Sequence, residues 1–303
     1  MAQPLVTILI PTHKRPGYLS EALSSARAQT YPNLEILISD NSGNDDSRAA
    51  IADQLAADPR VRYLPIPECN ATENWMNASS NATGTYVNWL MDDDRYAPTK
   101  IERMVHYFER YPSVAVVTSF RQLIDADGRP IAPLPGTQRL FEKDTVIAGE
   151  QMGEHLLRAG QNLIGEPTTA MYRRAEVGGA FGSFCDKTYL VLSDLATWLS
   201  LMAGRHVVYI PEALSEFRLH GGQDQRSSGL SLRANIEWLR LLLDAHERGL
   251  YFRDKVALRE LLGQKLTVLL PHLINQRDIL RELDFDTEEI LRLNRRALRL
   301  LLQ

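Results

Sequence analysis

The sequence predicts an α/β fold, a doubly wound, mostly parallel sheet that is followed by a helical extension. Short apolar runs alternate with helical segments over about the first 120 residues, as in chains that build parallel sheets. Several of these runs lack polar alternation, which is typical of strands covered on both faces. From about residue 231 the chain is helical, with breaks at Gly249 and Pro271. We therefore expect a sheet domain at residues 1–225 and a C-terminal helical region at residues 226–303.

The predicted elements follow one another in a regular order. Apolar runs predict strands at residues 5–10, 34–39, 61–64, 86–91, 114–119 and 206–210. Helical spacing predicts helices at residues 16–29, 47–57, 72–82, 99–110, 149–160 and 194–202. Pro16 opens the first of these helices, and Pro98 suits the first turn of the fourth. Asp127 and Gly128 predict a hairpin turn after the fifth strand.

Composition and charge exclude several classes of protein. The 303 residues are 44% hydrophobic, enough for a sizeable core. Lys and Arg number 34 against 38 Asp and Glu, so a broadly basic surface for nucleic acid is not expected. Cys69 and Cys185 have no metal-type spacing; a reduced cytoplasmic protein is the simple interpretation, and a single disulfide is the alternative. The run at 5–10 is too short for a signal peptide, and no apolar stretch reaches the length of a membrane span.

The first strand lacks the phosphate-binding motifs of two common enzyme classes. Neither G-x-G-x-x-G nor G-x-x-x-x-G-K-[ST] follows it. A dinucleotide oxidoreductase and a P-loop enzyme are therefore poor interpretations.

Carboxylates gather where two predicted strands end. Asp92, Asp93 and Asp94 follow the strand at 86–91, and Asp40 follows the strand at 34–39. Adjacent like charges repel unless a cation or solvent neutralises them, and ligands of open α/β sheets bind at this end of the strands. Carboxylate oxygens suit Mg²⁺ or Mn²⁺, which bind few protein ligands together with substrate phosphates. An isolated Asp triplet is more often a solvated turn, so its neighbours decide the interpretation.

Those neighbours resemble inverting family 2 of the glycosyltransferases, which has the nucleotide-sugar-binding GT-A fold. The resemblance covers about residues 4–222. It rests on the first strand with its loop, the turn at 39–42, the segments 74–77 and 81–84, the region 91–94, Ser193 with Asp194, and Arg218 with His220. Ser193 departs from the pattern, because the family usually has Glu there. No single motif is specific, but their order and spacing are.

The resemblance implies a role for each group of residues. Nucleotide contacts are expected from Pro11, Thr12, His13, Arg15, Asp40, Asp92 and Asp93. A Mn²⁺ or Mg²⁺ ion is expected at Asp93, Asp94 and His220, with Asp93 the first choice. Asp194 is the expected general base. Arg218, Trp75, Glu166 and Thr168 are candidates for contacts with the diphosphate or the acceptor.

The implied function is transfer of a sugar from a nucleotide-sugar donor to an acceptor hydroxyl, in the synthesis of a bacterial surface glycan or glycoconjugate. The acceptor is a glycan, a lipid-linked sugar or a protein. Two alternatives stay open. A sugar nucleotidyltransferase would need a glycine-rich loop after the first strand, and residues 11–17 have the charge without the glycines. The second alternative is a non-catalytic scaffold that binds nucleotide sugars. Such a scaffold would not need the candidate acids, so their retention argues against it.

The last predicted helix begins near Asp286 with a capping pattern. It carries Arg292, Arg295, Arg296 and Arg299 opposite a leucine-rich face. Such a helix lies on an anionic membrane surface or packs on its own domain or on a second subunit. We therefore expect a cytoplasmic protein, with peripheral membrane contact or homodimerisation through the C-terminal helices as the open alternatives.

Overall fold

The computed structural model describes residues 3–178, 180–221, 228–252, 254–275 and 286–303. The chain forms two compact units. Unit 1 comprises Met1–Ile147, Asn162–Gly178 and Arg205–His220, and unit 2 comprises Ala148–Gln161, Gly179–Gly204 and Gly221–Gln303. The predicted domain boundary between residues 225 and 226 stays a prediction.

The strands, in chain order, are β1 (Val6–Thr12), β2 (Leu34–Asp40), β3 (Val61–Pro65), β4 (Tyr86–Trp89), β5 (Arg95–Tyr96), β6 (Val114–Ile124), β7 (Pro130–Ile131), β8 (Thr145–Ala148), β9 (Met171–Arg173), β10 (Ser183–Phe184), β11 (Lys187–Thr188) and β12 (His206–Arg218). The main sheet has the order β3-β2-β1-β4-β9-β6-β12-β5. Parallel pairs join β3 to β2, β2 to β1, β1 to β4 and β6 to β12, whereas β9 is antiparallel to both its neighbours. The predicted mostly parallel sheet is confirmed.

The helices are α1 (Pro16–Arg27), α2 (Asp46–Ala50), α3 (Ala52–Ala57), α4 (Ala71–Ser80), α5 (Lys100–Arg110), α6 (Gly149–Ala159), α7 (Ser193–Met202), α8 (Ser228–Glu247), α9 (Lys255–Asn275) and α10 (Thr287–Leu302). Three predictions were wrong in detail. Pro271 lies inside α9 and does not break it. The helix predicted at 47–57 is interrupted at Ile51, whose backbone leaves the helical region. Pro98 precedes α5 and its N-cap Thr99, so it lies outside the first turn.

The centre of the sheet fixes where the strands of unit 1 end. All seven residues of β1 are buried, because β2 and β4 flank it and α1 packs on it. Gly84 sets the start of β4: its N–H donates to Thr7 Oγ1 at 2.9 Å, and a Cβ there would lie 2.6 Å from the Thr7 amide nitrogen. This close approach accounts for the glycine that ends the segment 81–84.

The C-terminal helices of unit 2 pack on one another. Asp286 caps α10 as predicted, accepting a 3.0 Å hydrogen bond from the Glu289 amide. Ile290, Leu293 and Ala297 are buried on the side of α10 that meets α8 and α9. Among the helices in the described part of the chain, none has the length and apolarity required to cross a bilayer.

A buried ion cluster yields a prediction for the stability of unit 1. Asp58 accepts from Arg60 Nη2 at 2.8 Å and from Arg27 Nε at 3.2 Å. The hydrogen bonds from Arg60 hold the pKa of Asp58 well below its ordinary value. A carboxyl group whose pKa is lower in the folded state stabilises the fold at pH values above its unfolded pKa of about 4. This stabilisation is lost progressively as the pH falls from there towards the folded pKa.

We therefore expect Asp58→Asn to lower the free energy of unfolding by about 2 kcal/mol at pH 7. The gap between variant and wild type should narrow below pH ~4. Urea unfolding across pH measures both. The control is Arg129→Gln, which removes an exposed pair with Asp127 and should have little effect. A gap of equal size at pH 3 and pH 7 would contradict this account.

Candidate active site

The carboxyl ends of three adjacent strands gather the predicted nucleotide-binding residues. In the register of β1 and β2, Thr12 lies opposite Asp40. On the other side of β1, Thr12 Oγ1 donates to Asp92 Oδ2 at 2.8 Å. The loop after Pro11, the Asp40 turn and the acidic cluster are thus brought together at one edge of the sheet, as predicted.

The Asp40 turn is locked by its own hydrogen bonds. Asp40 is 2% exposed, and its Oδ1 accepts from the Ser42 amide at 2.8 Å, which forms the expected Asx turn. Its Oδ2 accepts from the Tyr63 hydroxyl, and burial together with this bond raises the pKa of Tyr63 well above its ordinary value. The loop after β1 contacts the same turn, because His13 Nδ1 lies 3.2 Å from Asn41 O. The position of Asp40 is therefore fixed before any ligand binds.

Helix α4 ties the ends of β1 and β2 together. Asn74 is buried and donates to Thr12 O at 3.2 Å and to Asn41 Oδ1 at 3.1 Å. A capping box at Asn70 fixes the start of this helix. Trp75 is half-buried and stacks on Trp89 with 4.7 Å between ring centroids. Its ring is therefore held by a second tryptophan, and its predicted acceptor role stays a prediction.

The acidic cluster is buried, which excludes the solvated turn as its interpretation. Asp92 and Asp93 are 5% and 6% exposed, and Asp94 is fully buried. Burial, followed by the nearby Asp93, raises the pKa of Asp92 to about 6. Arg15 Nη1 lies 3.2 Å from Asp92 Oδ1 and 3.1 Å from Asp93 Oδ2. His220 Nε2 lies 3.0 Å from that same Asp93 oxygen, so two cationic or metal-ligating side chains converge on Asp93.

Arg218 holds the main chain of the acidic turn. It is 1% exposed, and its Nε donates to Asp93 O at 2.7 Å while its amide donates to Asp94 Oδ1 at 3.0 Å. Its Nη2 donates to Glu21 Oε2 at 2.6 Å, and the guanidinium stacks 4.6 Å from the centre of the Tyr18 ring. These contacts support a positioning role for Arg218 within the turn.

A second buried set of charges surrounds Asp94. Thr168 Oγ1 donates to Asp94 Oδ2 at 2.5 Å and accepts from the Met91 amide at 3.1 Å. Burial raises the pKa of Asp94, and the charges of Asp93 and Glu166 add to the rise. Arg121 Nε lies 2.9 Å from Glu166 Oε2 as an ion pair without a well-directed hydrogen bond.

Lys100 also belongs to this set, although no sequence motif singled it out. Its side chain is fully buried, and Nζ donates to Thr169 O at 2.9 Å. Burial lowers the pKa of Lys100 to about 7, although Glu166 and Asp94 oppose the change. Spacing could have revealed it, because Lys100 shares an i, i+4, i+8 stripe with the buried Met104 and Phe108.

Asp194 lies in the first turn of α7 in unit 2, whereas the other predicted site residues belong to unit 1. It is half-buried, and its Oδ1 accepts from the Leu195 amide at 2.7 Å. Ser193 is the first helical residue, Leu192 is the N-cap, and Asp194 is the acid of the first turn. Residues 222–227 of the glycine-rich loop after His220 lie outside the described residues.

The donor set fits a divalent ion only in part. Across the residues whose placement is described, no three His, Cys, Asp or Glu side chains form a ready metal cluster. Asp93 and His220 are close enough to supply two ligands, which suits an ion whose remaining ligands are substrate phosphates and water. Both oxygens of Asp94 already accept hydrogen bonds, from Thr168 and from the Arg218 amide.

The link between Thr168 and Asp94 yields a second prediction. We expect Thr168→Val to lower the free energy of unfolding by about 1–3 kcal/mol, because it leaves buried groups unpaired at nearly unchanged shape. Thr168→Ser keeps the hydroxyl and should lose less. Urea unfolding at pH 7 compares them. Equal stability of Thr168→Val and wild type would show that this hydrogen bond does not stabilise the fold.

Comparison with known proteins shows to which family the chain is similar. Residues 7–176 match the model described as "Glycosyl transferase family 2". An uncharacterized glycosyltransferase of Rickettsia felis is 26% identical over 248 residues, covering 80% of this chain and 39% of the relative. The putative teichuronic acid biosynthesis glycosyltransferase TuaG of Bacillus subtilis is 24% identical over 219 residues, covering 72% of this chain and 80% of TuaG. This chain thus spans about two fifths of the length of the Rickettsia felis relative.

Two solved structures share the fold. S. aureus TarS 1–349 in complex with UDP-GlcNAc superposes with a TM-score of 0.61 at 16% identity, covering 97% of this chain and 79% of that one. The mannosyltransferase PcManGT from Pyrobaculum calidifontis, in complex with GDP-Man and Mn²⁺, gives 0.53 at 15% identity, covering 99% and 86%. The predicted GT-A fold is confirmed. Because the family match extends over more than half of its residues, the chain belongs to glycosyl transferase family 2.

Proposed function

We propose that the chain transfers a sugar from a nucleotide-sugar donor to an acceptor hydroxyl, with a divalent cation and with inversion at the anomeric carbon. The observation that carries the proposal is the buried group of carboxylates at the ends of β2 and β4, beside the end of β1. Asp93 meets both Arg15 and His220 there, within 3.1 Å. A site of this kind holds a negatively charged diphosphate only with a cation between the like charges.

Asp40 recognises the base in this proposal. Its carboxylate is fixed by Ser42 and Tyr63 at the end of β2, and it can accept the N–H of a nucleotide base. Structures with the same fold hold UDP-GlcNAc in TarS and GDP-Man in PcManGT. These complexes support a nucleotide sugar as the donor class, and uracil and guanine are the bases to test first.

Arg15 and His220 serve the diphosphate. The Arg15 side chain is 30% exposed, whereas that of Arg218 is 1% exposed and held by the acidic turn. Arg15 is therefore the better candidate for direct contact with phosphate oxygens, and Arg218 positions Asp93. A bound Mn²⁺ or Mg²⁺, held by Asp93 and His220, would neutralise the charge that develops on the leaving diphosphate. Asp94 stabilises the acidic turn through the hydrogen bonds that it accepts from Thr168 and from the Arg218 amide.

Asp194 is the general base. It takes the proton of the acceptor hydroxyl while the acceptor oxygen forms a bond to the anomeric carbon. The bond from that carbon to the diphosphate oxygen breaks, and the nucleoside diphosphate leaves with the electron pair. Attack from the opposite face inverts the anomeric configuration. The similarity to TuaG, a putative teichuronic acid biosynthesis glycosyltransferase, supports a glycan as the acceptor class.

Asp93→Asn tests the cation site. We expect UDP-GlcNAc or GDP-mannose to raise the melting temperature of the wild type more with Mn²⁺ than without it. The variant should lose the Mn²⁺-dependent part of that rise, measured from its own melting temperature without ligand. Asp127→Asn, an exposed acid of the same unit, should keep it. A full Mn²⁺-dependent rise in Asp93→Asn would remove Asp93 from the site.

Asp194→Asn tests the base. Turnover of the donor should fall by about 10²–10⁴-fold, because the proton of the attacking hydroxyl loses its acceptor. Donor affinity, measured by calorimetry, should change little. Asp186→Asn removes an exposed acid of unit 2 and is the matched control. Unchanged turnover in Asp194→Asn would exclude it as the base.

A further inference from the structure

Unit 2 contains a buried carboxylate with an unusual set of partners. Glu237, on α8, is 3% exposed. Its Oε1 accepts from the Leu190 amide at 3.0 Å, and its Oε2 accepts from the Val191 and Leu192 amides at 3.0 Å and 2.8 Å. Three successive main-chain N–H groups therefore converge on one side chain that lies about fifty residues further along the chain.

These three residues form the entry to α7. Leu192 is the N-cap of the helix, and no side chain of the entry segment caps it. The first N–H groups of a helix have no partner within it, and an acid near this end is stabilised by the helix dipole. Glu237 satisfies the N–H groups of the segment from outside, with charged hydrogen bonds that are roughly twice as strong as neutral ones. The chain that leads into Ser193 and Asp194 is thereby fixed.

A second carboxylate on the same face of α8 holds the preceding residues. Asp244 lies two helical turns after Glu237 and is 1% exposed. It accepts from Lys187 Nζ at 2.6 Å and from the Tyr189 hydroxyl at 2.8 Å. Helix α8 thus holds the segment before α7 at two points, one at each end.

A glycine also contacts this segment and the first residue of α7. Gly182 has a φ of +95°, and its carbonyl accepts from the Tyr189 amide at 2.8 Å. Its amide donates to Thr197 Oγ1 on α7 at 2.7 Å. A Cβ on Gly182 would lie 3.0 Å from the Cβ of Ser193, so the first residue of the helix has little room to shift.

We propose that Glu237 is a positioning residue for Asp194, an inference that rests on the proposed function. The carboxylate of Glu237 fixes the entry of α7, and that entry sets where the Asp194 carboxylate stands in the first turn. Helix α8 is then a part of the catalytic machinery and more than an appended support. Small displacements of a catalytic group lower rates by up to about 100-fold, so loss of Glu237 should reduce the rate of the chemical step.

The test compares Glu237→Ala and Glu237→Gln in the full chain. Donor turnover with water as acceptor is followed as release of nucleoside diphosphate from UDP-GlcNAc and from GDP-mannose, with Mn²⁺. We expect Glu237→Ala to lower kcat by about 100-fold and to leave the donor KM within about twofold. The amide of Gln would face the Leu190 N–H, while its oxygen keeps two of the three bonds, so Glu237→Gln should fall between Ala and wild type.

Hydrogen exchange gives a readout that does not depend on turnover. The amides of residues 190–192 should exchange faster in both variants, while exchange in β1 and β2 of unit 1 stays unchanged. The control for general destabilisation is Asn294→Ala, a buried polar residue of α10 whose amide group donates to Ile290 within its own helix. It should lower the melting temperature and leave kcat unchanged.

The two proposals fail in different ways. If the wild type turns over neither donor, the proposed function fails. If the wild type is active and Asp194→Asn keeps wild-type turnover, Asp194 is not the base, and the positioning role of Glu237 is overturned with it. If Asp194→Asn abolishes turnover and Glu237→Ala does not lower kcat, the positioning role is overturned. Where both single variants lower kcat, the double variant shows whether Glu237 acts through Asp194. Glu237→Ala should then add no further loss to Asp194→Asn. A full additional loss would show that Glu237 does not act through Asp194. Should Glu237→Ala fail to fold, Glu237→Gln decides by the same measurements.

Discussion

The structure of unit 1 depends on the burial of three adjacent carboxylates at the end of β4. Three like charges in sequence repel, and removal from water adds a large penalty unless each charge finds a partner. The fold supplies those partners from distant parts of the chain. Thr12 and Arg15 come from the end of β1, Thr168 comes from the turn before β9, and Arg218 comes from the end of β12. The sheet order is what places these segments side by side.

The partners divide the cluster into two faces with different chemistry. Asp94 is enclosed, and Glu166, Lys100 and Arg121 form with it a largely buried set of acidic and basic side chains. Asp93 instead meets Arg15 and His220, side chains that can contact a phosphate or share a cation. Asp94 is thus held by side chains and main chain of the protein, whereas Asp93 faces the groups that can contact a ligand. This division supports the choice of Asp93 as the first metal ligand, and which second Asp of the triplet binds the ion stays a prediction.

Much of the fold was predictable because local patterns decide it. Uninterrupted apolar runs ended at polar residues, and those ends proved to share one edge of the sheet. Other features depend on contacts between remote segments and have no local pattern. The three residues of β9 insert antiparallel between β4 and β6, and nothing in Met171–Arg173 specifies those neighbours. The resemblance implied a diphosphate or acceptor contact for Arg218, and this contact stays a prediction. The sequence does not show that the side chain is buried against Asp93 and Glu21. Glu237 could not have been found, since its partners are main-chain amides.

The most direct test of the central claim is the position of the cation. Crystals grown with Mn²⁺ and UDP, or with GDP where GDP raises the melting temperature more, can be measured at a wavelength where Mn²⁺ scatters anomalously. We expect one strong anomalous peak within coordination distance of Asp93, with His220 beside it and the diphosphate completing the ligand set. A peak elsewhere in the protein, with the nucleotide bound away from the ends of β1, β2 and β4, would contradict it.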